Sequence, residues 1–173
     1  KDLTFANPYV VGKSAATAVL AAQPSGSNIT VTNVDVINSY VKAPSSDGGA
    51  FLLGNVGSYT SVTVDGCDIK NSTIDGGGKN AAIFGNGAGS GTKTISLTNI
   101  TIDDVDINAS GKTYAGLILG YANGATTGLT CENISIKDSS VTANNCGLVM
   151  GYGTVTVAKA DFSNITIEGS TLT

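Results

Sequence analysis

The carboxylates are the residues whose types and spacing come nearest to a chemical site. Asp103, Asp104 and Asp106 fall within four positions, and Asp65 and Asp68 form a looser pair upstream. Two carboxylates held ~5–9 Å apart can hydrolyse a glycosidic bond. The same oxygens, joined by backbone carbonyls, could hold Ca²⁺. Composition closes other routes. The chain has no His, which excludes Ser-His-Asp and Cys-His nucleophiles and imidazole metal sites. All nine basic residues are Lys, so the bidentate clamp that Arg offers a uronate is missing.

Aromatic rings are the second candidates, because sugars pack on them. There is no Trp, but Tyr40, Tyr59, Tyr114, Tyr121 and Tyr152 lie near turns. Tyr121 and Tyr152 each follow a Gly in the same local phrase and should stack on one another. They form either a structural ladder or a strip for carbohydrate. The three Cys, Cys67, Cys131 and Cys146, are expected to be free thiols acting as small apolar side chains. Six N-x-S/T sequons occur, at Asn28, Asn71, Asn99, Asn108, Asn133 and Asn164. They read as by-products of a strand code and not as glycan sites.

The elements that must position these residues are written in a repeat. Five segments align: "ITVTNVDVINSYV" from Ile29, "VTVDGCDIKNSTI" from Val62, "ISLTNITIDDVDI" from Ile95, "LTCENISIKDSSV" from Leu129 and "ADFSNITIEGSTL" from Ala160. Their common Asn or Gly (Asn33, Gly66, Asn99, Asn133, Asn164) recurs at intervals of 33, 33, 34 and 31. A second phrase, "AGLILGYANG" in its clearest form, keeps the same beat through Gly54, Gly85, Gly120 and Gly151. "YVVGKS" from Tyr9 reads as a degenerate copy of it. Internal repeats on this scale signal a solenoid.

Within each unit, apolar β-branched residues alternate with polar ones, the period-2 mark of strands. Only "KSAATAVLAA", Lys13 to Ala22, carries a helical period. A unit of 31–34 residues with three short strands suits one rung of a parallel β-helix, in which the coil supplies the crossovers that parallel strands require. Stacking the units builds four apolar columns: Val31 to Phe162, Val34 to Ile165, Val36 to Ile167 and Val41 to Leu172. Thr30, Thr63, Ser96 and Thr130 between them should face water. The Asn column and a second one, Asn38, Asn71, Asp104 and Asp138, fit corners in the left-handed conformation. That placement makes Asp104 a corner residue, and Asp106 falls beside Thr73 and Ser140. Both are then turn or exposed strand positions before they are catalysts.

In the repeated phrase, Leu117 and Leu119 are expected to point inward and Gly120 to mark a corner. This leaves an outward column of Val10, Leu52, Ile83, Ile118 and Val149, which is apolar where a solvent face should alternate. Its side chains, with Tyr121 and Tyr152, are therefore candidate ligand or interface contacts.

Bulk composition bounds the partners. Charged residues are 13% and the net charge is −4, which argues against nucleic acid, since a binder needs a stripe of cations. The longest apolar runs are far below the ~20 residues of a membrane-spanning helix. The chain opens at "KDLTF" without Met, as expected of a mature fragment after signal removal.

"GLILGYANGATTGLTCENISIKDSSV" resembles the GLUG repeat, over about residues 49 to 173, and the "N-I-T-I" phrases resemble right-handed parallel β-helix repeats of the pectin-lyase-like superfamily. The second unit departs from the GLUG pattern, with "AAIFGNG" in place of Gly-Leu-Val-Gly-Tyr. The resemblance implies a right-handed helix and a bacterial surface or secreted protein, and it supplies no catalytic residues.

The expectation is an all-β chain: a single-stranded parallel β-helix, elongated, with about five rungs of 31–34 residues. Residues 1–27 form a degenerate rung and capping segment, and residues 28–173 the repeats. The expected role is non-enzymatic, adhesive or scaffolding, with no cofactor and no metal. A glycan, a host or cell-surface protein, or another domain or copy stacked on the C-terminal end would be its partner. The alternative is a carbohydrate-binding or carbohydrate-cleaving module. Ice binding through outward Thr columns is a weaker third reading, because Asp65 and Asp161 interrupt the Thr pattern.

Overall fold

The computed structural model describes residues 1–13, 16–43, 48–57, 59–88, 93–109, 114–124, 126–155 and 159–173. Among them every strand pair is parallel and there is no helix. One main sheet stacks Leu3–Ala6, Val34–Ile37, Ser61–Gly76, Lys93–Asn108, Thr126–Lys137 and Ala160–Glu168 in that order. A smaller sheet stacks Leu53–Asn55, Phe84–Ala88, Leu119–Gly124 and Met150–Val155. About four turns are thus closed on every side, and terminal strands extend the main face beyond them. Five intervals of ~4.8 Å make this stack of strands about 24 Å tall.

The register is the one the repeat implies. Val31 pairs with Val64, Val64 with Leu97, Leu97 with Cys131 and Cys131 with Phe162. The columns through Val36 and Val41 run equally straight to Ile167 and Leu172. Cys67, Ile69, Ile74, Leu97, Ile100, Ile102 and Ile107 are buried. β-Branched residues suit this interior because their stiff χ1 packs well on a pleated surface.

Both corner columns are left-handed. Asn33, Gly66, Asn99, Asn133 and Asn164 have φ of +52° to +65°, and Asn38, Asn71, Asp104 and Asp138 have φ of +45° to +55°. Their amides form ladders on the outside of the coil: Asn33 Nδ2 donates to Asp2 Oδ1, Asn133 Nδ2 to Asn99 Oδ1 and Asn164 Nδ2 to Asn133 Oδ1. These ladders are exposed, so conformation outweighs hydrogen bonding as the reason for Asn. Asn133→Ala is therefore expected to cost about 1–2 kcal/mol, the left-handed penalty for a Cβ residue. Asn133→Gly should cost far less, as Gly66 in the same column suggests. Paired urea melts would separate the two.

The repeated phrase corrects several expectations. A bend at Leu117 and Ile118 breaks the strand between Ala115–Gly116 and Leu119–Gly124. The bend turns three consecutive residues inward, and Leu117, Ile118 and Leu119 are all buried. Phe51, Leu52 and Leu53 repeat this, as do Ala82, Ile83 and Phe84. The expected column is not an exposed apolar face: Leu52, Ile83 and Ile118 are core, and Val149 is half-buried in the last copy. Val10 does not belong with them. It pairs with Val41 and heads the fourth column. The first copy of the phrase is instead the Ala-rich segment. Thr17–Ala18 pairs with Gly49–Ala50 and Ala21 bridges Leu53, so this segment is strand-like and not helical.

The phrase glycines do not mark corners. They lie in strands, and a Cβ there would strike the backbone of the preceding rung. At Gly85 it would come within 2.6 Å of the Gly54 carbonyl oxygen, and at Gly120 within 2.6 Å of those of Gly85 and Asn80.

Candidate functional site

The aromatic strip stands where the sequence puts it. Tyr121 pairs with Tyr152 in register. Their rings stack 5.3 Å apart at 8°, and Tyr114 closes on both, at 5.1 Å and 4.5 Å. The Lys79 ammonium lies 4.9 Å over the Tyr121 ring. All three rings are half-buried. Tyr114, just before Ala115, lies beside the residue after Gly120, a closeness that linear spacing does not report. Stacking uses the ring faces, which are the surfaces a sugar would need. A second stack, Tyr9 on Tyr40 at 5.1 Å, sits on another corner, and the Tyr40 hydroxyl donates to Asp75 Oδ2 at 2.8 Å.

Several carboxylates are drawn into rung-to-rung contacts. Asp65 Oδ1 accepts from Thr98 Oγ1 and from Asn99 Nδ2, both at 2.7 Å. Asp75 Oδ1 accepts from Asn108 Nδ2, and Asp106 Oδ1 accepts from Ser140 Oγ. Asp68 pairs with Lys70 at 2.8 Å. Asp103 sits in register between Lys70 and Lys137, and Asp104 holds its corner. Among the described residues no group of three or more His, Cys, Asp and Glu could hold a metal.

The Thr98 and Asn99 hydrogen bonds hold the Asp65 carboxyl below its usual pKa. A depressed folded pKa means stability that is present above the unfolded carboxylate pKa and lost as pH falls through the folded one. Asp65→Asn keeps the acceptor and removes the titration. Its acid-unfolding limb should be shallower below about pH 4, a difference read by circular dichroism against pH.

A less expected cluster lies inside the coil. Lys93 is only 2% exposed, and its ammonium sits 4.2 Å over the Tyr59 ring. Burial pushes the Lys93 pKa down and the Tyr59 hydroxyl up to about 12. Tyr59 packs edge-on against Phe84, 6.2 Å away. Its hydroxyl and Asn86 Oδ1 are buried without a hydrogen-bond partner among the described residues. Beside Tyr59 an open cleft of about 440 Å³ is lined by Ser25, Gly26, Ser27 and Thr60. Lys93 is in phase with the inward Ile95 and Leu97, so the alternation itself places it inside, whereas its meeting with Tyr59 of another turn is not signalled by the pattern. The Cys residues are free, as expected, with Cys67 and Cys131 buried two rungs apart. Burial lifts the Cys131 thiol to about 12, which makes it inert as a nucleophile.

A parallel coil with left-handed corner ladders and an apolar bore defines a β-solenoid protein. No family model matches the chain, and neither the curated proteins nor the solved structures compared with it gave a match.

Proposed function

We propose that the chain is a non-enzymatic β-solenoid module with an adhesive or scaffolding role in a surface or secreted protein. One observation carries this reading. Most of the side chains first in line to do chemistry are engaged with neighbouring rungs: Asp65, Asp75 and Asp106 in hydrogen-bond ladders, Tyr114, Tyr121 and Tyr152 in a stack. Solenoid stability is built from such nearest-neighbour interfaces. The resemblance to GLUG and pectin-lyase-like repeats supports a bacterial surface or extracellular setting.

A second reading, a carbohydrate module, is favoured by the half-exposed Tyr strip with its adjoining Lys79. A glycan array probed with the purified protein, with and without Ca²⁺, separates the two. The scaffold reading expects no specific binding. Binding that disappears in Tyr121→Ala and Tyr152→Ala would replace it with carbohydrate recognition.

A further inference from the structure

Three of the six Tyr gather at one place on the side of the coil. Tyr114 and Tyr121 belong to one turn, and Tyr152 pairs with Tyr121 from the next. The chain has no Trp and one Met, and Cys67 and Cys131 are buried. Apart from Cys146 and Met150, the easily oxidised side chains within reach of solvent are therefore phenols.

Ring contact matters for oxidation, because two phenoxyl radicals join only where their ortho carbons can meet. Tyr114 and Tyr152 are the closest pair of the three. Their centroids lie 4.5 Å apart at 35°, at the short end of the ~4.5–7 Å range of aromatic pairs. Tyr121 is further from both, at 5.1 Å and 5.3 Å. Charge separates the rings in the same sense. The Lys79 ammonium lies 4.9 Å over the Tyr121 ring, and a positive charge there opposes loss of an electron from that ring. Distance and charge both direct coupling to Tyr114 and Tyr152.

We propose that Tyr114 and Tyr152 are an oxidative coupling site that fastens one turn of the coil covalently to the next. The co-reactant is hydrogen peroxide with a haem peroxidase. Each phenol gives up one electron and its hydroxyl proton. The two radicals form a carbon–carbon bond between ortho positions. Each ring then passes its ortho hydrogen to the phenol oxygen, which restores both hydroxyls. The two electrons and two protons reduce one hydrogen peroxide to two waters. The link ties the residue before Ala115–Gly116 to the strand Met150–Val155. It acts as a disulfide would, by removing loop-closure freedom from the unfolded chain. It goes beyond the scaffold reading and stands on the ring geometry alone.

Oxidation of the folded wild-type protein by a haem peroxidase, with peroxide in excess of the thiols, tests it. Peptides of the monomeric product are then mapped by mass spectrometry. The expected product is an intramolecular Tyr114–Tyr152 peptide pair, lighter by the two hydrogens lost. Rings held in contact react as one unit, so its yield should be roughly tenfold or more above that of the urea-unfolded chain. The linked protein should unfold at a urea concentration about 1–2 M higher than the unoxidised one. Tyr121→Phe, which keeps the ring and removes the phenol, should still give the pair. Three results would overturn the proposal: a folded wild type that forms no Tyr114–Tyr152 link, one that forms it no better than the unfolded chain, or one that gains no resistance to urea from it. Loss of the pair in a folded Tyr121→Phe would overturn it as well, and the wild-type series decides if that variant fails to fold.

Discussion

Gly120→Ala is expected to destabilise the protein by about 3 kcal/mol, the upper end of the cost of overpacking. The added methyl would lie 2.6 Å from two carbonyl oxygens, those of Asn80 and Gly85. Neither can retreat. Asn80 O accepts from Gly116 N at 3.0 Å, and Gly85 lies in the strand paired to Leu119–Gly124. The effect should greatly exceed that of Gly128→Ala, where the nearest atom to a Cβ is Thr94 Cγ2 at 3.7 Å. Both are Gly→Ala changes within a strand, Gly128 being half-buried beside a bulge, so the difference reports the close approach of the rungs at Gly120. Chemical denaturation of the two variants would measure it. Equal midpoints would mean that the backbones are not as close as described.

Asn80→Ala should cost as much or more. Asn80 is fully buried at the junction between the main sheet and the phrase. Its Oδ1 accepts from Gly49 N at 2.8 Å, and its Nδ2 donates to Gly76 O. Truncation strips two buried backbone groups of their partners at about 1–3 kcal/mol each, so a loss of about 3–5 kcal/mol is expected. Asn80→Asp should be no rescue, since it keeps the acceptor, loses the donor and buries a charge. Ser72 and Ser139 play a related but smaller part: Ser72 Oγ accepts from Ser39 N, and Ser139 Oγ from Val105 N. A thermal melt of Asn80→Ala within a degree or two of wild type would contradict the role given to this amide.

The main face was legible because its inward positions obey period 2 without exception from Val62 to Val64 and from Ile100 to Ile102. The corners were legible because a strand run broken by Asn or Gly on a fixed beat needs a left-handed residue there. The phrase defeated the same logic. Three buried residues in succession go with a bend, and the bend falls on Leu117 and Ile118, neither of them a turn residue, so alternation turned Ile118 outward. Val10 misled because "YVVG" copies the local look of the phrase, whereas register is decided by what stacks on Tyr40 and Val41. The Ala-rich segment mimicked a helix because small residues satisfy a 3.6 period as readily as a pleat. Asn80 was beyond reach, since its burial depends on partners from other turns, whereas Lys93 shares the inward phase of Ile95 and Leu97 and only its meeting with Tyr59 was hidden. Of the candidate site, the Tyr121–Tyr152 stack followed from the repeat, and Tyr114 and Lys79 did not.

The stacked register underlies the scaffold reading, and disulfide trapping tests it most directly. Thr63 and Ser96 are ladder partners, and Thr98 lies two residues along the same strand, opposite Asp65. In a Cys146→Ser background, Thr63→Cys/Ser96→Cys places two thiols on Cα atoms ~4.8 Å apart, inside the range a disulfide spans. Thr63→Cys/Thr98→Cys places them ~8 Å apart, outside it. The first pair should oxidise to an intramolecular bond in the folded protein and the second should stay reduced. A bridge at Thr98, or none at Ser96, would mean that the turns do not stack in this register.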